Sequence, residues 1–223
     1  MYEPYFALGG GFIVVAGLLT GTLSHHAAGV ARSRLIVRRE YGLYYTLSFL
    51  EGCRRQIFSI FASFTLIKVY GLNVNAMLTL QLINSVMIAI TAPRMGRVID
   101  QRGERGPLVV YAVGLILVFA GYAVSRRVEV LVGLFLLDNV LFSFGVGFTT
   151  YLHRIVRPGE LTPCVAMGVT MNHIAAVTVP IGGALLWKAS GDYRLPFMVG
   201  TLLAVGSLFA TMRLPVGRKV VES

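Results

Sequence analysis

The chain has 223 residues, of which 56% are hydrophobic and only 13% are charged, and its net charge is +10. Soluble domains carry about 25% charged residues, so a chain with so little charge and a mean hydropathy of +0.73 cannot turn most of its surface to water. The composition therefore points to an integral membrane protein. Basic residues collect at the ends of the apolar segments, where lipid headgroups attract them, and we do not expect nucleic-acid binding.

Seven apolar segments, each long enough to cross a bilayer as a helix, follow one another along the chain. Helices are predicted at 5–28, 41–68, 76–93, 107–125, 129–152, 162–188 and 195–213. Short links rich in glycine, proline, asparagine or arginine separate them. In the sixth segment Pro180 is expected to kink the helix, because proline lacks an N–H. The expected fold class is an all-α integral membrane protein with about seven transmembrane helices.

The distribution of lysine and arginine predicts the orientation of the bundle. With the N-terminus outside, one set of helix ends and links holds 13 lysines and arginines and the other set holds 5. The more basic side is expected to face the cytoplasm, because basic residues are retained there. We therefore expect a bacterial inner-membrane protein with its N-terminus outside and its C-terminus in the cytoplasm.

Ionisable and amide side chains at mid-membrane depth are the candidate functional residues, because such groups are costly there unless they face a cavity or a partner. Four of the seven helices carry them. They are Glu51, Arg54, Arg55 and Gln56 in the second helix, Gln81 and Asn84 in the third, Asp138 and Asn139 in the fifth, and Asn172 and His173 in the sixth. The fourth and seventh helices have no comparable groups, which predicts lipid-facing or supporting positions for them.

Each candidate also has a purely structural interpretation. Glu51 and Arg55 are spaced i, i+4 and can neutralise each other, and Asp138 can be the counter-charge of either arginine. Adjacent residues on a helix point about 100° apart, so one of Arg54 and Arg55 is expected to face a cavity while the other pairs. His173 can relay a proton, because an unperturbed histidine titrates near neutral pH, or it can simply pack. The amides can serve as hydrogen bonds between helices.

A motif lies between the third and fourth predicted helices. From Gly96 to Arg105 the chain reads Gly-Arg-Val-Ile-Asp-Gln-Arg-Gly-Glu-Arg. This stretch resembles the cytoplasmic signature of the major facilitator superfamily of transporters. The matching positions are Gly96, Asp100, Gly103 and Arg105, and those that depart from the family pattern are Gln101 and Glu104. The gating residues that the resemblance implies are Gly96, Arg97, Asp100, Arg102, Gly103 and Arg105.

The resemblance also implies a domain organisation. In that family the signature lies between the second and third helices of each six-helix half, and here it has that position if a half begins at Tyr41. The implied division is a single transmembrane helix with a basic cytoplasmic linker over 1–40, a six-helix half over 41–213 and a cytoplasmic tail over 214–223. The first, second, fourth and fifth helices of a half line the cavity in the family. Here these are the four helices with mid-membrane polar groups.

The resemblance and the mid-membrane arginines together predict secondary active transport of a small anionic solute. Arg54 or Arg55 would bind the anion, and Glu51, Asp138 or His173 would carry a coupled proton. Family members rock two halves around a central site, so for transport the sequence is either a piece of a longer protein or is completed by a second copy or another chain. The partners expected are thus the lipid bilayer, the solute and such a chain.

Other classes of function are weighed against transport. The main alternative is a truncated, non-transporting membrane protein that scaffolds or regulates a partner. A seven-helix photoreceptor is less favoured, because the seventh helix has no buried lysine for a retinal Schiff base. No paired-histidine motif, nucleophile elbow or metal-ligand spacing occurs in the sequence, so we expect no enzyme activity, no cofactor and no metal site.

Overall fold

The computed structural model describes residues 3–21 and 36–215. Within these ranges the chain is helical and contains no strand. It divides into two units, Met1–Arg34 and Leu35–Ser223. Most of the predicted basic linker, and all but two residues of the predicted tail over 214–223, lie outside the described residues.

The first unit contains one helix, α1, at Glu3–Gly21. Its central stretch Gly10–Thr20 is apolar. The hydroxyl of Thr20 donates to the carbonyl oxygens of Ala16 and Gly17 at 2.9 Å, so the polar group of this side chain is satisfied by the helix itself. The rest of the first predicted segment, 22–28, lies outside the described residues.

The second unit contains seven further α-helices. They are α2 (Gly42–Gln56), α3 (Val74–Arg102), α4 (Arg105–Val124), α5 (Val128–Phe142), α6 (Val146–Ile155), α7 (Leu161–Ser190) and α8 (Leu195–Met212). A 3-10 turn at Ser143–Gly145 joins α5 and α6 into one span. Five spans in the described part of the chain (α3, α4, α5–α6, α7 and α8) are long and apolar enough to cross a membrane. These spans are compatible with an integral membrane protein.

The helix that begins with α2 changes its winding halfway along. It follows a 3-10 turn at Arg39–Tyr41 and continues beyond Gln56 as two π-helical stretches, Ile57–Ala62 and Thr65–Val69. The helical path therefore covers the predicted segment 41–68. Helix α2 is not among the five spans, because only 15 residues precede the change of winding and several of them are polar. π-turns in helices often occur at functional sites, and the first of these follows directly after the polar residues.

The third helix is longer than the sequence predicted. Helix α3 ends at Arg102 and passes through Pro93, whereas the prediction ended it at residue 93. Most of the signature motif, from Gly96 onward, therefore lies on the last turns of α3, and the prediction that these residues form a link was wrong. The turn itself is Gly103–Glu104, and Gly103 has φ of 79°, a conformation that glycine adopts without a steric penalty.

Two helix pairs pack most extensively, α4 with α8 and α2 with α7. Both crossings depend on glycine, since small residues allow helices to approach closely in membranes. A Cβ atom on Gly200 of α8 would lie 2.6 Å from the Phe119 ring, and one on Gly52 of α2 would lie 2.9 Å from the Asn172 backbone. Helix α4 buries the largest share of its span among the five. The sequence predicted either a lipid-facing or a supporting position for α4, and its burial indicates the supporting one.

The two ends of the second unit differ in chemistry. One end, here called the basic end, holds residues 36–41 and the links 103–104 and 156–160. Its ion pairs are Arg38–Glu160 at 2.7 Å, Arg157–Glu40 at 2.8 Å and Arg154–Glu104 at 2.8 Å. At the opposite end the Tyr70 and Tyr193 hydroxyls are hydrogen-bonded at 2.8 Å, and Trp187 packs near Tyr193. Such tyrosine and tryptophan residues are typical of a membrane–water interface.

Candidate functional site

A buried ion cluster joins α2 to α5. The Nη1 group of Arg54 donates to both carboxylate oxygens of Asp138, at 2.8 and 3.0 Å. Its Nη2 and Nε groups donate to the two oxygens of Glu51, at 2.7 and 3.2 Å. The exposed fractions are 3% for Arg54, 5% for Asp138 and 8% for Glu51. One guanidinium group therefore serves two carboxylates, which with Arg54 form the ion triad.

A tyrosine from α4 forms a further hydrogen bond to the ion triad. The Tyr111 hydroxyl donates to Oε2 of Glu51, and the Tyr111 ring centroid lies 5.7 Å from Cζ of Arg54. The Phe142 ring lies at a similar distance, 5.8 Å, so aromatic faces cover the cation. Sequence reasoning missed Tyr111, because only ionisable and amide groups were counted and α4 otherwise appeared apolar. A tyrosine inside a buried apolar helix is the signal that was available, since its hydroxyl needs a partner.

The charge of the ion triad is unbalanced. With all three groups ionised, Glu51, Arg54 and Asp138 carry a net charge of −1. Removing charges from water is costly unless they are paired and hydrogen-bonded, and here both pairings are made. The surplus negative charge remains, so a proton or a nearby cation would neutralise the triad.

Arg55 is the nearest such cation along the chain. Its side chain is exposed, its Cζ atom lies 4.7 Å from the Phe142 ring centroid, and within the described residues it forms no ion pair. The i, i+4 pairing of Glu51 with Arg55 considered from the sequence is not formed, because Glu51 pairs with Arg54 at i, i+3. As the sequence predicted for adjacent residues, one arginine is paired and the other faces open space.

Arg55 lies where two cavities meet. The first has a volume of about 260 Å³ and the second about 330 Å³. Both are lined by Arg55, Ile88 and Phe142, and together they are called the cleft here. The cleft lies among α2 with its first π-turn, α3, the α5–α6 span and α7. These are the four helices on which the sequence placed mid-membrane polar groups.

Three of the six remaining candidates line the cleft, and three do not. Gln81 and Asn139 line the first cavity and Asn172 the second. The side-chain amide of Asn139 donates to its own helix, to the Phe135 carbonyl at 2.9 Å, and that of Asn172 donates to the Gly168 carbonyl at 3.3 Å. The candidates outside both cavities are the half-buried Gln56, the exposed His173 and the buried Asn84.

Asn84 differs from the other amides. It is 1% exposed, and both polar atoms of its side chain lack a hydrogen-bond partner among the described residues. It lies one turn from Gln81 and one from Ile88, on the face of α3 that lines the cleft. A buried amide without a hydrogen-bond partner costs free energy relative to one that is hydrogen-bonded.

At the basic end, the acidic residue that forms an ion pair is not the one that the signature motif contains. Asp100 is exposed and forms no ion pair within the part of the chain that the structure describes. A second acidic residue, Glu104, departs from the family pattern and is 4% exposed. Its Oε1 atom lies 2.8 Å from Nη2 of Arg154 on α6. The acidic residue that ties the α3–α4 turn to another helix is therefore Glu104.

The segment before α2 is also tied down at the basic end. The Tyr41 hydroxyl donates to Oε2 of Glu160 at 2.6 Å and accepts from the Arg157 N–H at 3.3 Å. Its hydrogen bond to the Glu160 carboxylate raises the pKa of the Tyr41 phenol above its ordinary value. Since Arg38 pairs with the same carboxylate, Glu160 joins residues 36–41 to the α6–α7 link.

The described residues include no group of three or more histidine, cysteine, aspartate or glutamate side chains placed to hold a metal ion. No protein-family model matches the chain, and no curated protein sequence matches it significantly. The ion triad, Arg55 and the cleft are therefore interpreted from their own geometry.

Proposed function

We propose that this protein is a secondary-transporter module organised like one half of a major facilitator superfamily member, and that it moves a small anionic solute together with a proton. The observation that carries the proposal is the pair of adjacent arginines on α2. One of them, Arg54, is buried between two carboxylates. The other, Arg55, is open to a polar cleft. Ionisable groups at membrane depth are functional candidates by default.

Arg55 is assigned to the anion. Arg54 already donates four hydrogen bonds to Glu51 and Asp138, so it has little capacity left for a solute. Arg55 has no carboxylate partner among the described residues, and a guanidinium group binds carboxylates and phosphates through two parallel hydrogen bonds. The first cavity also contains neutral polar groups, among them Ser59 and Gln81, beside the paired Arg54 and Asp138. A cavity of about 260 Å³ suits a small solute.

The ion triad is assigned to the proton. With both carboxylates ionised the triad carries one surplus negative charge, and one proton on Glu51 or Asp138 removes it. Because Glu51 lines the second cavity and Asp138 lines the first, a proton can reach the triad from either part of the cleft. His173 lies outside both cavities, so the proposal gives the proton to the carboxylates.

The organisation of the transporter is part of the same proposal. Helix α1 and the six helical spans of the second unit give seven transmembrane helices, with the basic end in the cytoplasm of a bacterial inner membrane. Transporters of this family enclose their solute between two halves. Among the five spans, α3 and α7, which line the cleft, bury the smallest shares of their surface. A second copy or another chain would therefore face these two helices and close the cleft.

The test measures charge movement in proteoliposomes. Purified protein is adsorbed on a solid-supported membrane and exposed to a panel of small carboxylates and phosphate, with and without a pH gradient. Wild type and the Arg126→Gln control, an exposed arginine at the opposite end, should give currents for the same anion. Arg55→Gln should abolish that current while eluting as a monodisperse protein. An unchanged anion current in Arg55→Gln would contradict the assignment of the anion.

The non-transporting alternative rests on a different observation. All four carboxylate oxygens of the ion triad accept hydrogen bonds from Arg54, as expected if the triad only holds α2 and α5 together. If the ion triad has only this structural role, no anion in the panel gives a current in wild type at any pH gradient, and the natively extracted complex contains a second, different protein. A 24.3 kDa chain that carries anions alone or with its own copy would exclude this alternative.

A further inference from the structure

A third cavity lies at the basic end of the second unit and shares no lining residue with the cleft. Its volume is about 530 Å³. It lies around the turn between α3 and α4, with α6 and the end of α8 as its other walls. The polar lining residues are Arg102, Glu104, Arg105 and Arg154. Apolar side chains at Val109, Met212 and Pro215 form the remainder, so the cavity joins a charged part to an apolar part.

The charged part has a surplus of positive charge. Glu104 lies 2.8 Å from Arg154, so these two charges compensate each other. Arg102 and Arg105 form no ion pair within the described ranges, and they leave the cavity with two uncompensated positive charges. Arg102 is exposed and Arg105 is half-buried, so both guanidinium groups are accessible to a ligand from water or from the headgroup layer.

The backbone adds N–H donors, which favour an anion as the two arginines do. Helix α4 begins at Arg105, and its N-cap residue Glu104 provides no side-chain cap. The N–H groups of Arg105 and Gly106 therefore have no intrahelical partner, as in the first turn of any helix, and both residues line the cavity. The positive end of the dipole of this 20-residue helix acts at the same place, which favours an anion.

We propose that this cavity binds a phosphate group through Arg102, Arg105 and the uncapped first turn of α4. Phosphate is the chemistry shared by acidic phospholipid headgroups and by free phosphate. Its oxygens accept from guanidinium groups and from helix N-terminal N–H groups alike. Basic pockets between helices at the headgroup level bind acidic lipids, and Val109 and Met212 would contact the start of an acyl chain. The site is independent of any transported solute.

The experiment compares two matched double variants in neutral detergent. R102Q/R105Q removes the two uncompensated charges, and R126Q/R127Q removes two exposed arginines next to the start of α5 at the opposite end. Native mass spectrometry measures retention of added phosphatidylglycerol against phosphatidylcholine. Wild type and R126Q/R127Q should prefer phosphatidylglycerol. R102Q/R105Q should bind it about thirtyfold more weakly, because each basic residue near an anionic lipid contributes on the order of a fivefold factor.

A second arm distinguishes the source of the phosphate group. The thermal unfolding midpoint is measured in inorganic phosphate and in chloride at equal ionic strength. A shift with phosphate in wild type that is lost in R102Q/R105Q, without retention of phosphatidylglycerol, would support a soluble phosphate ligand at the same site. If wild type binds neither probe, or if both double variants lose binding equally, the proposal is overturned. Should R102Q/R105Q not remain folded, the single variant Arg102→Gln, on an exposed side chain, should show about a fivefold loss.

Discussion

The ion triad makes a specific prediction about non-additive stability. Each carboxylate of the triad contacts Arg54, so either one can compensate the guanidinium when the other is neutralised. We therefore consider the single variants Asp138→Asn and Glu51→Gln and the double variant that combines them. Asparagine and glutamine keep the shape of the side chain, remove its charge and replace one acceptor oxygen with an NH2 donor. The double variant is the one in which a buried cation has no compensating charge in the triad.

The magnitudes follow from the contacts. Each single variant weakens hydrogen bonds to a charged group, worth about 1.5–3 kcal/mol, and also removes the surplus negative charge of the triad, so we expect a net loss of about 1 kcal/mol. In the double variant Arg54, which is 3% exposed, becomes an unpaired buried charge. Breaking a buried ion pair in this way costs about 3–5 kcal/mol. The double loss should thus exceed the sum of the single losses by about 1–3 kcal/mol, within the range observed for residues in contact.

The assay is equilibrium unfolding in mixed micelles by titration with dodecyl sulfate. The single tryptophan of the chain, Trp187, packs against Phe61 and Tyr193 at the opposite end, so its fluorescence follows unfolding at a distance from the triad. The control cycle uses Glu129→Gln and Asp192→Asn, both exposed carboxylates. The control losses should be small and additive. Additivity within about 0.5 kcal/mol in the triad cycle itself would refute the reasoning, because it would mean that the two carboxylates do not share one cation.

Three further predictions concern other contacts. Gly52→Ala places a Cβ atom 2.9 Å from the Asn172 backbone and should lower stability by about 1–3 kcal/mol. The control Gly96→Ala, whose added Cβ atom would have nothing within 4 Å, should leave stability unchanged. Equal thermal midpoints for the two variants would exclude a tight crossing of α2 with α7. Tyr111→Phe removes the hydroxyl bonded to Glu51 and should cost about 1–3 kcal/mol in the same unfolding assay. An unchanged free energy of unfolding would contradict a stabilising role for this hydroxyl. Tyr41→Phe should lower the thermal midpoint at neutral pH. Because the folded-state pKa of Tyr41 is raised above 10.0, the wild-type advantage should persist below pH 10 and disappear as the pH rises through that raised value; a constant advantage at all pH values would contradict the hydrogen bond to Glu160.

The polar interior could be predicted from the sequence because it depends on depth alone. Counting residues from a segment end places Arg54 and Asp138 near mid-membrane, and the structure brings them together. The choice of partner could not be predicted in this way. A helix brings both Arg54, at i+3, and Arg55, at i+4, close to Glu51. The pairing with Arg54 depends on Asp138 on α5 and Tyr111 on α4. These are tertiary contacts that no helical spacing encodes.

The end of α3 was mispredicted for a physical reason. The prediction ended this helix at residue 93, which is a proline, and treated the basic stretch from Gly96 as a link. Proline disturbs the turn that precedes it, but the helix can continue beyond it, and α3 continues to Arg102. Polar residues at the end of a span do not require a turn, because they can remain helical within the headgroup layer. The position of Gly103 was the more reliable signal, since its φ of 79° ends the helix.

The π-helical stretches after Gln56 have a consequence for comparing this chain with any relative. A π-turn accommodates one residue more than an α-turn, so Ile57–Ala62 behaves as a one-residue insertion inside a continuous helix. A homologue lacking one residue here would keep both ends of the helix and lose only the bulge. An alignment gap in the middle of this membrane helix would therefore mark a change in how Ser59 is presented to the cleft, and would not mark a broken helix.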